Sequence, residues 1–434
     1  MAILVAMNAT RAGASPPPIV LIVVDTLRAD HLDNYGYFRN TSPNLTAFAR
    51  DSLLFERAMT PSGVTLPAHV SLFSSTNPPR HGVHGNFDHF HTPVPNAEFR
   101  LMAQILARLG YRTAGFVSST AVAAETGIAA GFDVYGESGD RQGGRRAADT
   151  TDEVLKWLGE IDSAEPFFLF VHYADPHSPY APPPPYDKMF STDDSQRAFF
   201  ERLGVPAAGI YIDSNNLYDG EVCYADTQIG RLFDALEQRG VYERAAIIFT
   251  ADHGEGLGQH NWLYHSRVYE EQMHVPLLVR LPQRDDLHGV RRGDVVSLID
   301  VLPTLGANLG LAFTPEETAQ FEGIDVLGPI HREYAFGERN GGMQQDRERD
   351  DYHVLAGRQW KFFLRGAGRD QLFDLSVDPG ELHNLIAAQP QIAESMRSVL
   401  QRQLDAYRGD GAAVKKKEEI PASTRERLHQ LGYE

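Results

Sequence analysis

The sequence predicts an α/β fold, an α/β/α sandwich with a mostly parallel central sheet, followed by a smaller C-terminal α+β unit. Three observations carry this expectation. Ile19–Val24, Phe167–His172 and Ala246–Thr250 are unbroken apolar runs rich in β-branched or aromatic residues. Such runs mark parallel strands buried on both faces. Stretches of helical periodicity lie between them, and strands alternating with helices favour a parallel sheet. After about residue 330 the texture changes to short strands and a helical tail.

The elements follow in chain order. Pro16, Pro17 and Pro18 close a start expected to be flexible, residues 1–17. Met1–Ser15 is mildly apolar, lacks a basic beginning and contains Arg11, so it is a poor signal peptide, though a trimmed remnant of one fits. The main unit is expected over residues 18–330. Its first strand ends at Asp25, at the strand edge where open α/β sheets bind ligands. Leu101–Leu109 reads as a helix. So does Asn216–Arg239, with Val222, Ile229, Leu232, Phe233 and Leu236 at helical spacing. The second strand leads into Asp175 and His177, the third into Asp252 and His253. Residues 331–434 are expected to form the small unit. Tyr352–Leu355, Trp360–Leu364 and Gln371–Leu375 read as antiparallel strands and Gln389–Tyr407 as a helix. Lys415–Lys417 with Glu418 and Glu419 reads as a solvated linker.

Composition narrows the partners. The chain has 434 residues and a formal net charge of -18, which repels nucleic acid and anionic membranes and argues against both as ligands. No run approaches ~18 apolar residues, so no membrane span is expected. A soluble protein follows, cytoplasmic or, if a leader was trimmed, periplasmic or secreted. Its oligomeric state stays open, a homo-oligomer included. The single cysteine, Cys223, rules out an internal disulfide and reads as a small hydrophobe in a helix.

The chemistry gathers at the strand ends. Asp25 alone would read as a helix cap. Asp252 followed by His253 changes that, because oxygen and imidazole nitrogen together suit one divalent ion. Gly254 and Gly256 are expected to let the chain turn sharply there. Thr65 stands before Pro67, which suits the first turn of a helix. Thr65 would then lie at a helix N-terminus, where backbone N–H groups favour anions. Beside a metal its hydroxyl would become a nucleophile.

The chain resembles the sulfatase-like branch of the alkaline phosphatase superfamily. The matching stretches are Val23–Asp30, Ser42–Leu45, Thr65–His69, Pro79–Gly82, Asp175–Tyr180 and Ala251–Glu255. They continue with Tyr269–Glu271 and Val275-Pro276, then Ile299–Pro303 and Asp378–Glu381, in the family's order. Leu431–Tyr433 is similar too. The resemblance implies an alkaline phosphatase-like fold and a metal-dependent ester hydrolase. It also marks departures. True sulfatases convert a Cys or Ser to formylglycine in a Cys-x-Pro-x-Arg setting; here Thr65 and His69 occupy those places. Thr26 replaces the second Asp of the usual pair. Val117–Thr120 replaces a Lys- and His-bearing stretch, and His265 replaces a late Lys.

The resemblance therefore implies one divalent ion on Asp25, Asp252, His253 and Thr65. Mn²⁺, Zn²⁺, Ca²⁺ or Mg²⁺ all fit these donors, and the retained His tilts the choice toward Mn²⁺ or Zn²⁺. Thr65 would be the nucleophile. His177 and His265 would contact substrate oxygens, protonate the leaving group, or hold a second metal. His69, Asn86 and His260 are candidate substrate contacts. Thr nucleophiles and lost positive contacts favour a small anionic phosphodiester or phosphonate monoester. A sulfatase working without formylglycine, a non-catalytic metal-binding protein, and a transferase to an alcohol are the alternatives.

Overall fold

The computed structural model describes residues 15–409, apart from 87–93, 95–98, 138–144, 207–208, 341–345, 347–349 and 367. The expected flexible start up to residue 14, the linker at Lys415–Lys417 and Leu431–Tyr433 lie outside these residues.

Among the described residues the main sheet has eight strands. They are β1 (Ile19–Val24), β2 (Leu53–Met59), β3 (Arg112–Val117), β4 (Val134–Gly136), β5 (Phe167–Tyr173), β6 (Ala246–Ala251), β7 (His274–Arg280) and β8 (Arg291–Ser297). Their spatial order is β4-β3-β5-β1-β6-β7-β2-β8. All ladders are parallel except those that β7 makes with β6 and β2. The expected mostly parallel sheet is therefore what the chain forms. The three strands visible in the sequence are β5, β1 and β6, which lie side by side at its centre. Centrality explains their legibility. Every residue of β1 is at most 1% exposed, so no polar residue interrupts the run. The other strands were not read from the sequence. β2 carries Glu56 and Arg57, and β8 begins with Arg291 and Arg292, so charges mask their apolar halves.

Helices cover the sheet. Thr65–Ser74 is wholly buried and packs on the face from which Phe170 projects, where the Phe73 and Phe170 rings meet at 4.9 Å. Ala147–Glu160 takes the opposite face, where Thr151 Oγ1 lies 2.9 Å from Tyr173 Oη. Residues 170 and 173 differ by an odd step along β5, so their side chains leave opposite faces. The expected helix at Leu101–Leu109 spans Met102–Arg108. The one expected from Asn216 begins earlier and spans Ile210–Gln238. The added turn, residues 210–215, packs Tyr211 and Ile212 on a separate small cluster with Phe199 and Phe200, outside the apolar stripe that marks the rest of the helix.

A second sheet, antiparallel, follows in the order β12-β11-β10-β9. It comprises β9 (Ala335–Arg339), β10 (Tyr352–Ala356), β11 (Trp360–Leu364) and β12 (Gln371–Asp374). The helix Pro390–Gly409 lays Met396, Leu400 and Leu404 against Phe336, Leu355 and Phe362 on one face. The other face packs Phe363 and Phe373 against Met59, Val268 and Tyr269. Lys361, fully buried, reaches Glu270 and Glu381 at 3.1 Å each. The small sheet thereby fixes the segment around Tyr269 that follows His265.

Candidate active site

Because β5, β1 and β6 are adjacent and parallel, their C-terminal ends deliver side chains to one spot. Asp25 leaves β1 there, held by its N–H bond to the Tyr173 carbonyl at 2.8 Å. Asp252 and His253 leave β6. Thr65 arrives from outside the sheet as the first residue of its helix.

Asp252 uses its two oxygens differently. Oδ1 accepts the backbone N–H groups of His253 at 2.7 Å and Thr26 at 3.2 Å. Oδ2 has no hydrogen-bond partner and lies 3.4 Å from His253 Nε2. Asp25 Oδ1 is likewise without a hydrogen bond, 3.8 Å from the same nitrogen. Thr65 Oγ1 is 3.3 Å from His253 Nε2. The hydroxyl does not cap its helix. That work falls to Asn86, whose Oδ1 accepts the Leu66 N–H at 2.8 Å.

The histidines share one device. The Nδ1–H of His69 donates to Thr65 carbonyl oxygen at 2.8 Å, that of His253 to Gly254 at 3.0 Å, and that of His265 to Gly63 at 3.1 Å. His177 does the same with Ser178 at 2.6 Å. A carbonyl only accepts, so each Nδ1 carries a hydrogen and each ring is left with Nε2 facing the site. Such anchoring is what orients histidine as a metal ligand. The Nε2 atoms of His177 and His265 face each other at 3.2 Å, and the His265 ring sits 4.6 Å from that of His253. A pair so placed can hold one proton between its nitrogens.

Electrostatics calls for a cation. Burial pushes Asp25 up to about 6. Burial, reinforced by the Asp25 charge, raises Asp252 further. Burial also drives His253 down to about 3 and His265 well below its usual range, so neither supplies positive charge at neutral pH. Among the described residues, the ion-pair partners of the two carboxylates are all histidines. Asp25, Asp252 and His253 offer ligand atoms within 4.8 Å of one another, and the orphaned oxygens point among them. The donor set fits a divalent ion.

The structure thus brings together Asp25, Thr65, Asp252, His253, His177 and His265. His69 adjoins them, its Nδ1 lying 3.7 Å from Asp252 Oδ2. Asn86 supports the Thr65 helix, a task the sequence did not suggest. His260 stands apart. Its Nδ1 pairs with Glu271 at 3.1 Å and its ring stacks on Tyr269 at 3.7 Å. Burial works against its charged form, but Glu271 raises its proton affinity overall. Gly254 and Gly256 also answer a steric demand: neither adopts a left-handed conformation, but a Cβ on them would meet the Glu271 carbonyl oxygen at 2.1 Å and that of Trp262 at 2.4 Å. They are needed for close backbone approach. His172, on β5, was missed as a site residue. Its Nε2 is 3.7 Å from Asp25 Oδ2. An ionisable residue inside an otherwise apolar strand was the available signal.

The sulfatase family model matches residues 17–311. The chain belongs to the sulfatase family. An arylsulfatase of Clostridium perfringens is 25% identical, the match spanning 90% of this chain and 94% of that protein. A choline-sulfatase of Rhizobium meliloti is also 25% identical, over 94% of this chain and 89% of its own. The phosphonate monoester hydrolase of Agrobacterium radiobacter superposes with a TM-score of 0.71 at 21% identity, covering 91% of this chain and 96% of that one. This sulfatase-family chain therefore has the alkaline phosphatase-like fold and stands among ester hydrolases.

Proposed function

We propose that this sulfatase-family protein is a divalent-metal-dependent hydrolase of phosphodiesters or phosphonate monoesters, working through a covalent intermediate on Thr65. The observation that carries this reading is the placement of Thr65 Oγ1, uncommitted to capping, 3.3 Å from His253 Nε2 and beside two buried carboxylates. Asp25, Asp252, His253 and Thr65 would hold the ion. When bound, it supplies Lewis-acid charge that lowers the Thr hydroxyl pKa and offsets negative charge on substrate oxygens.

Thr65 Oγ, having lost its proton to solvent when the ion binds, enters as an alkoxide and forms a bond to phosphorus as the bond to the leaving oxygen breaks; it is released as the alkoxide again. The His177–His265 pair gives that oxygen its proton. Water then attacks phosphorus, releasing Thr65 and returning a proton to the pair. A Thr ester has no route to an aldehyde, so its cleavage must occur at phosphorus rather than by the collapse open to a formylglycine hydrate. The site also lacks the Arg of the sulfatase motif, His69 standing there, which suits a substrate of lower charge.

Sulfate ester hydrolysis is the second reading, supported by the near full-length similarity to the Clostridium and Rhizobium sulfatases. Assays with bis(4-nitrophenyl) phosphate, a phosphonate monoester and 4-nitrophenyl sulfate rank the two. A higher kcat/KM on the phosphorus esters is expected, and a large sulfate preference reverses the order. Thr65→Ala should lower kcat by about 10³-fold or more. Full activity in that variant removes the Thr65 mechanism.

A further inference from the structure

Behind Thr65, on the sheet face covered by its helix, lies a second group of unsatisfied donors. His172 projects from β5 toward His69, their rings 5.0 Å apart. Neither nitrogen of His172 has a hydrogen-bond partner, nor does His69 Nε2, nor Asp252 Oδ2. All three residues are fully buried. Histidines buried elsewhere are treated differently. His31 Nδ1 meets Asp219 at 2.7 Å, and His81 pairs with Ser71 at 2.9 Å and the Val83 N–H at 3.1 Å. Among the described buried histidines, His172 alone has both nitrogens unpaired.

The neighbourhood is rich in acceptors and poor in donors. With Nδ1–H tied to the Thr65 carbonyl, His69 keeps an unpartnered Nε2, and Asp252 adds an unpartnered anionic oxygen. Phe170 and Phe73 wall the space, the His69 ring lying 5.9 and 6.3 Å from theirs, so water is a poor substitute partner. The ligand atoms of His69, His172 and Asp252 lie within 4.8 Å of one another.

We propose that His69, His172 and Asp252 form a second cation subsite, with Asp252 shared between it and the Asp25–His253 group. Two imidazoles and one carboxylate select Zn²⁺ or a similar nitrogen-preferring ion over Mg²⁺ or Ca²⁺. The inference rests on reading Asp25, Asp252 and His253 as a metal centre, which it extends from one ion to two. His69, at the sulfatase Arg position, would serve the ion rather than the substrate.

The test is metal content and local structure of the full chain equilibrated with Zn²⁺, then desalted over a weak chelating resin. The expected count is two Zn²⁺ per chain in the natural protein and one in His172→Leu, whose circular dichroism should match the natural protein's. Zinc-edge X-ray absorption of the natural protein should show averaged imidazole ligation and a metal–metal vector of roughly 3.5–4 Å. If His172→Leu does not fold, the same measurement on His265→Ala decides: a second ion and metal–metal vector retained there support the His172 subsite, and their loss assigns the ion to the His177–His265 pair and overturns it. Thr65→Ala should still hold two ions, which separates this inference from the Thr65 mechanism. A count of one in the natural protein, or of two in His172→Leu, overturns the second subsite and leaves the first intact. A count of zero overturns both.

Discussion

Asp252 shows how much a single side chain is asked to do. Its Oδ1 is consumed by the loop, bonding Thr26 and His253 N–H groups, while Oδ2 is left for the site. Thr26 is held at φ 57°, a left-handed conformation costly for a β-branched residue, and its N–H bond to Asp252 helps hold it there. Gly254 next to it tolerates no side chain. Gly254→Ala would drive a Cβ into the Glu271 carbonyl oxygen, 2.1 Å away, and should lower stability by about 1–3 kcal/mol along with activity, read by chemical denaturation and kcat. A second residue-scale prediction concerns Glu221, on the long helix away from the site. Burial, then the charge of Asp175, raises it from 4.5 to about 8. Its folded-state pKa exceeds its unfolded value, so the folded form holds a proton the unfolded form has lost. Stability from this group is therefore full below about pH 4.5 and falls as pH rises toward 8. Glu221→Gln keeps an acceptor for the Ala181 N–H, which lies 2.8 Å from Glu221 Oε1. The variant should lose that slope and melt higher than the natural protein at pH 8, as thermal scans across the range would show.

At the scale of elements, the helix Thr65–Ser74 has an N-cap residue, Val64, with no side-chain bond to give. Asn86, twenty-one positions along from Thr65 in sequence, supplies the missing acceptor to Leu66. Asn86→Ala should therefore cost about 0.5–2 kcal/mol of stability and loosen the first turn that positions Thr65. Equilibrium unfolding gives the first quantity. A fall in kcat larger than the change in KM would report the second, and unchanged kinetics would show that the turn is held by other contacts. The same helix explains why Thr65 was a better candidate than its sequence neighbours. Every residue from Thr65 to Ser74 is buried, and the helix reaches the strand ends through Thr65 in its first turn and His69 in its second. β5 makes the complementary point. One strand supplies Phe170 and His172 to one face and Tyr173 to the other, so its register decides which residues enter the site.

The whole molecule is organised to bury uncompensated charge at one point. Asp25 and Asp252 sit at the centre of an eight-stranded sheet with only histidines as ion-pair partners among the described residues. An ion that binds the folded chain and not the unfolded one stabilises it, by about 2.7 kcal/mol at a hundredfold excess over Kd. Removing metal with EDTA should lower the melting temperature by several degrees, and Zn²⁺ or Mn²⁺ should restore it; a melt indifferent to both would argue against a metal centre here. The sequence by itself determined the central strands, because burial on both faces permits only apolar residues. It also determined the acids and histidines at their ends, which interrupt those runs abruptly. Family resemblance grouped Asp25, Thr65, Asp252 and His253, and the tertiary structure supplies the physical means by which they meet. The order β5-β1-β6 joined Asp25 to Asp252 and His253, and helix packing brought Thr65 beside them. It assigned Asn86 to a cap, His260 to Glu271, and gave His172 a place among the donors. None of these is encoded in local spacing, because strand order, register and helix docking join residues far apart in the chain.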